Sequence, residues 1–174
     1  MPVTYDNIAT TTLGSASNTI TFTSIPSTYT DLRLVLVGAS NRAASGTTAA
    51  TLRFNNTAGS DYSNTTLAGD GASATSDRFT TSDQVVVNTL LMPNANETGR
   101  LSLSTVDIFS YAGSTFKTVL ATGNADLNGS GSVVRSVGLW RNTSAITQLN
   151  LLFTNVAYSF IAGTTVTLYG IKNA

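Results

Sequence analysis

The feature that most constrains this chain is a period-two alternation that recurs in short runs. Residues 19–23, Thr-Ile-Thr-Phe-Thr, set apolar Ile20 and Phe22 against threonines, and residues 31–38 interleave Leu32, Leu34 and Leu36 with Arg33, Val35 and Val37. Successive side chains of an extended strand point to opposite faces, so each run lays one face on a core. No window sustains the i, i+3, i+4, i+7 apolar spacing of an amphipathic helix, while β-branched residues and glycines abound. A short helix within 43–50 is the one helical alternative. The chain is therefore expected to be all-β.

Turn-forming residues divide the runs. Pro26 stops the first, because proline cannot donate to a ladder. The run 31–38 is apolar on both faces and reads as a central strand. Residues 38–50 read as a loop before a strand at 52–54, and 62–67 as a weaker strand. The polar connection 69–83 reads as the most mobile segment. Further strands are expected at 85–92, 100–111, 116–122, 133–140, 146–153 and 164–171. In 100–111, Leu101, Leu103, Thr105, Asp107, Phe109 and Tyr111 share one face, so burying Ile108 as well calls for a bulge near Thr105. About ten antiparallel strands with several long connections favour a β-sandwich of jelly-roll topology over a meander. A length of 174 residues suits a single domain spanning 1–174. Residues 1–9 read as an extended N-terminal arm reaching a neighbouring subunit.

The chemistry-bearing residues are few. The chain has no histidine and no cysteine, which removes Ser-His-Asp catalysis, thiolate nucleophiles and the usual zinc ligands. Its only lysines are Lys117 and Lys172, and its acids are one glutamate and eight aspartates. Asp61, Asp70, Asp77, Asp83, Glu97 and Asp126 fall in expected loops, where such residues commonly cap turns. Asp107 falls inside an expected strand, which implies a structural partner such as an arginine. The run from Asp126 faintly matches a calcium loop, but Val137 stands at the twelfth position, where a bidentate glutamate is required. No Gly-Lys-Ser/Thr occurs for a nucleotide site. No catalytic, cofactor-binding or metal-ligating residue is assigned, and the chain reads as not an enzyme. A jelly-roll glycan hydrolase using two aspartates is the enzymatic alternative.

Charged residues make up 10% of the chain and balance to zero, against roughly 25% in an ordinary soluble domain. A surface of hydroxyls and amides has no long-range field to attract nucleic acid, so none is expected as a partner. It also has little repulsion to hold copies apart. Nothing approaches the run of about 18 apolar residues that would suggest a membrane span. The opening residues carry no basic run followed by an apolar stretch, so a secretory signal is not expected.

Several segments resemble a known group. They are Ile8-Ala-Thr-Thr-Thr-Leu-Gly-Ser-Ala, Ile20-Thr-Phe-Thr-Ser-Ile-Pro-Ser-Thr-Tyr-Thr-Asp-Leu, Arg53-Phe-Asn with Gly59-Ser-Asp-Tyr-Ser, Phe116-Lys-Thr-Val, Gly138-Leu-Trp-Arg-Asn-Thr-Ser-Ala-Ile-Thr and Gly163-Thr-Thr-Val-Thr-Leu-Tyr-Gly-Ile-Lys. In order, and over nearly the whole chain, they resemble small β-sandwich virion proteins of tailed bacteriophages, notably those of cyanobacteria and other aquatic bacteria. These are packing and turn motifs. The resemblance implies a structural virion protein, either head decoration or a tail or fibre module. A single domain starting at Met1 without a coiled-coil shaft favours a capsid cement protein over a fibre. The implied action is mechanical: homotrimers on the capsid exterior bridge subunits of the major capsid protein and resist DNA pressure. Candidate interface anchors, chosen by residue type and placement at loops or the terminus, are Tyr5, Arg42, Arg78, Trp140 and Arg141. Trp140 reads either as a lid on the core or as an anchor. The runner-up is a tail-fibre tip that binds host surface glycan.

Overall fold

The computed structural model describes residues 4–43, 46–94 and 100–172. Among these residues it contains twelve strands and no helix: β1 (Tyr5–Thr12), β2 (Thr19–Phe22), β3 (Asp31–Gly38), β4 (Thr47–Phe54), β5 (Tyr62–Gly69), β6 (Ala74–Ser82), β7 (Val85–Pro93), β8 (Ser102–Ile108), β9 (Lys117–Asp126), β10 (Gly131–Trp140), β11 (Leu149–Leu152) and β12 (Thr165–Ile171).

The antiparallel ladders nest. β1 pairs with β12, β2 with β11, β3 with β8 and β4 with β7. These eight strands divide into two facing groups, β1-β12-β3-β8 and β2-β11-β4-β7, which is the strand order of a jelly roll. Two hairpins are added to it. β5–β6 lies between β4 and β7 in sequence, and β9–β10 lies between β8 and β11. β9 pairs with β8, β10 with β9 and β5 with β10, so both hairpins widen one sheet only. The result is an eight-stranded sheet, β1-β12-β3-β8-β9-β10-β5-β6, over a four-stranded one.

The expected antiparallel sandwich is present, with three local differences from the sequence reading. Two of the twelve strands were not anticipated. Tyr5–Thr12, read partly as an arm, pairs with β12 of the same chain; residues 1–3 lie outside the described residues. Ala74–Ser82, read as a mobile connection, is β6. It carries no period-two signal because neither of its faces is covered. The 38–50 loop is shorter than expected because β4 begins at Thr47, which also leaves no room for a helix there; residues 44 and 45 lie outside the described ones. No bulge interrupts β8: its register with β3 and β9 is continuous, and Ser102, Ser104, Val106 and Ile108 all face inward. The core accepts two serines, and Leu101, Leu103 and Phe109 are left exposed.

The main core lies between the jelly-roll strands. Leu32, Leu34, Leu36, Val106 and Ile108 from the larger sheet meet Ile20, Phe22, Leu52 and Leu151 from the smaller one. Burying each such side chain contributes about 1.5–3 kcal/mol. At one end Trp140 stacks on Tyr62 with centroids 6.1 Å apart and meets Phe54 edge-on at 5.4 Å. The Tyr62 hydroxyl accepts the Phe54 backbone N–H at 3.0 Å, and burial pushes its pKa up to about 12. Lys117 is fully buried and donates to the carbonyls of Gly113 at 2.7 Å, of Thr115, and of Thr143 at 3.5 Å. Burial lowers its pKa.

Under the added hairpins the packing differs. Apart from Phe54 of β4 at the aromatic end, the strand beneath β9, β10 and β5 is β7, and it approaches closely. Val85 pairs with Leu52 and Leu90 with Ala50, so residues 86–89 of β7 bulge opposite the single residue Thr51. Val86 and Asn88 there adopt φ of 55° and 58°, a left-handed conformation that costs a β-branched residue about 1–3 kcal/mol. β7 crowds two glycines, one with backbone from the bulge and one with a side chain beside it. A Cβ on Gly123 would stand 1.8 Å from the Thr89 carbonyl oxygen, and one on Gly138 would stand 2.2 Å from Val85 Cγ2. The Thr89 hydroxyl bonds that of Ser136 at 2.9 Å in the same layer.

Candidate functional site

The inward face of the added strands carries several small or polar residues, Ala121, Gly123 and Ala125 on β9, Ser136 and Gly138 on β10, Asn64 and Thr66 on β5, alongside buried Val119, Val134, Tyr62 and Trp140. Several larger aliphatic neighbours, Leu67, Leu120, Val133 and Val137, point the other way. Register places Val137 between Leu120 on β9 and Thr65 on β5, and Arg135 between Thr122 and Leu67. Val133 is 62% exposed and Leu67 60%; Leu103 on β8 continues the patch. On this part of the sheet aliphatic side chains face water on the outer side, while small and hydroxyl residues share the inner side with Val119, Val134, Tyr62 and Trp140. An uncovered patch of aliphatic and hydroxyl side chains of this kind is the type of surface on which proteins dock, which makes it the candidate site.

The charges support the same location. On the jelly-roll part of this outer face Arg33 grips Asp107 through two bonds of 2.6 and 2.8 Å with the Tyr5 ring 5.8 Å from its guanidinium carbon, and Asp31 accepts the Ser110 amide at 2.7 Å; on the inner side of the same edge Lys172 reaches Asp6 at 2.5 Å. Asp107 thus has the arginine partner its place in a strand implied. The outer face of the smaller sheet is also saturated. Arg53 binds Asp83, Gln84 donates to Asp83 at 2.8 Å, and Asn150 bonds both Gln148 and Thr21 at 3.0 Å. Over the added strands, Arg78 on β6 and Arg135 on β10 are exposed and carry no carboxylate partner among the described residues.

Most of the sequence-selected anchors stand elsewhere. Trp140 is 1% exposed, so in this chain it closes the core and is not available as an anchor. Arg42 is half-buried and donates to the Thr47 carbonyl. Arg141 straps the turn before β5 through the carbonyls of Ser60 at 2.5 Å and Tyr62 at 3.2 Å. Tyr5 and Arg78 occupy opposite edges of the eight-stranded sheet, about 33 Å apart at the usual strand spacing, so the five do not form one patch. Arg78 alone belongs to the uncovered face. Leu67, Leu103, Leu120, Val133, Arg135 and Val137 were missed. The available signal was the alternation of small residues, Ala121-Gly123-Ala125 and Ser136-Gly138, in phase opposite to Leu120 and Val137.

The aspartates read as turn formers divide. Asp70 accepts from the Ala72 and Ser73 amides at 2.9 and 2.7 Å, which holds its pKa below the ordinary value, and Asp126 accepts from the Asn128 amide at 2.8 Å. Asp77 instead sits within β6. Glu97 lies outside the described residues. No known family model matches the chain, and no curated protein matches it.

Proposed function

We propose that this chain is a structural protein of a tailed-bacteriophage virion, a capsid cement protein that docks through the outer face of β8, β9, β10 and β5. The observation that carries this reading is the uncovered aliphatic patch on that face, where Leu67, Val133 and Val137 are presented to solvent at 60%, 62% and 48% exposure. The outward side of these four strands spans roughly 19 by 26 Å, or about 500 Å², a large part of the ~800 Å² per partner of a stable interface. Balanced charge and a hydroxyl-rich surface suit tight packing among coat subunits. In this reading homo-oligomers, as trimers, lie on the capsid exterior, bridge subunits of the major capsid protein and add contacts that resist DNA pressure. Neither nucleic acid nor membrane is a partner in it. No reaction is assigned: the chain has no histidine or cysteine, and of its eight aspartates Asp107, Asp83 and Asp6 are held by cationic partners.

Counting copies per purified particle by quantitative mass spectrometry, with imaging of intact particles, tests the proposal. Hundreds of copies on the head are expected. Absence from particles, or turnover of a glycan by the isolated chain, would overturn it.

One observation favours a second reading, a tail-fibre module that binds host glycan. Phe109 and Phe116 flank the β8–β9 connection and both are exposed, as sugar-stacking aromatics would be. A handful of copies at the tail and a positive glycan array would select it.

A further inference from the structure

Strand β6 lies beyond the reach of the smaller sheet. Four strands underlie eight, the last of them, β7, packs beneath β9, β10 and β5, and β6 overhangs with both faces in water. None of its nine residues is buried. Its unpaired charges sort by side. Arg78 pairs in register with Thr65 and points to the outer face with Arg135, two strands and about 10 Å away. Asp77 pairs with Thr66 and points to the opposite side, with half-buried Phe79 next to it on that side. Asp77 has no cationic partner among the described residues. The thickness of the sheet therefore separates this acid from these cations within one chain, whereas a second copy can bring them together.

We propose that the overhang and the outer face beside it are the two halves of a head-to-tail contact between copies of this chain. The Asp77 and Phe79 side of β6 in one copy lies on the aliphatic face bearing Arg78 and Arg135 in the next. A twofold contact of outer face on outer face would set arginine against arginine, which costs affinity, so the contact is heterologous. Such contacts repeat from copy to copy and close into a ring when their rotation allows. The proposal takes from the functional reading only that the outer face is a docking surface.

The test is a charge-swap series on the purified full chain, followed by sedimentation velocity from micromolar to millimolar protein at low and high salt. The native chain is expected to self-associate and to loosen as salt rises. Asp77→Arg alone, and Arg78→Asp with Arg135→Asp in one chain, are each expected to weaken association on the order of tenfold or more. An equal mixture of those two variants is expected to regain association, because reversed overhang then meets reversed face. Every substituted side chain is exposed, so circular dichroism should be unchanged. A native chain monomeric throughout, association untouched by either reversal, or a mixture that stays apart would each overturn the inference. A monomeric native chain that still binds intact particles would leave the outer face to coat protein and keep the functional reading while ending this one.

Discussion

Within one continuous sheet, Leu34 and Val106 point into the sandwich, while one to two strands beyond β8, Leu120 and Val137 point out of it. The jelly-roll half hides its aliphatic residues between two sheets and balances the charges on its outer face. The added half packs mostly against one distorted strand, with glycines and serine where the backbones approach closest, and exposes aliphatics with two unpaired arginines. The first arrangement accounts for why the chain folds. The second leaves apolar area uncovered, and the proposed docking surface is placed there for that reason.

The comparison is tested most strongly by truncating one aliphatic residue in each half. Leu34→Ala should cost about 2–5 kcal/mol in urea unfolding, and Val137→Ala less than about 0.5 kcal/mol. A similar loss at both sites would mean that the outer face is not free. The close approach of β7 is tested next: Gly123→Ala should cost roughly 1–3 kcal/mol or more by forcing the Thr89 carbonyl away, whereas Gly69→Ala, with 3.9 Å to its nearest neighbour, should cost much less.

How far these halves were legible in the sequence follows from the same contrast. β3 was readable because Leu32, Leu34 and Leu36 are matched by a covering layer, so alternation reports burial. β8 was misread because Leu101, Leu103 and Phe109 outweigh Ser102 and Ser104, and the usual inference puts the more apolar face inside. Tertiary packing reverses that inference here: β8 keeps one register throughout, and its inward phase is fixed by Val106 and Ile108. β6 was invisible because a strand in water on both sides has no pattern to show. The face itself was not found by looking for aromatics and arginines at loops, since it is built from mid-strand aliphatics. Of the selected anchors only Arg78 lies on it. The assignment of Asp107 to an arginine held because a carboxylate in mid-strand has few other options.

Two smaller effects sharpen the contrast. Ser136→Ala removes the partner of Thr89 beneath the added hairpins and should cost about 1 kcal/mol in urea unfolding. In the aromatic cluster, burial raises the Tyr62 pKa from 10.0 to about 12. The unfolded chain then releases its phenolic proton before the folded one does. The stability this group contributes is complete below pH 10 and is lost as pH rises toward 12. Unfolding titrations should show that alkaline decline in the native chain and a flatter profile in Tyr62→Phe.

Hydroxyl-radical footprinting by mass spectrometry, comparing the isolated chain with the same chain in its native assembly, probes the central claim most directly. Leu67, Leu103, Val133 and Val137 should label readily in isolation and become protected on assembly, while exposed Val156, which lies outside the larger sheet, labels equally in both. Equal labelling of the four in both states would show that this face docks onto nothing.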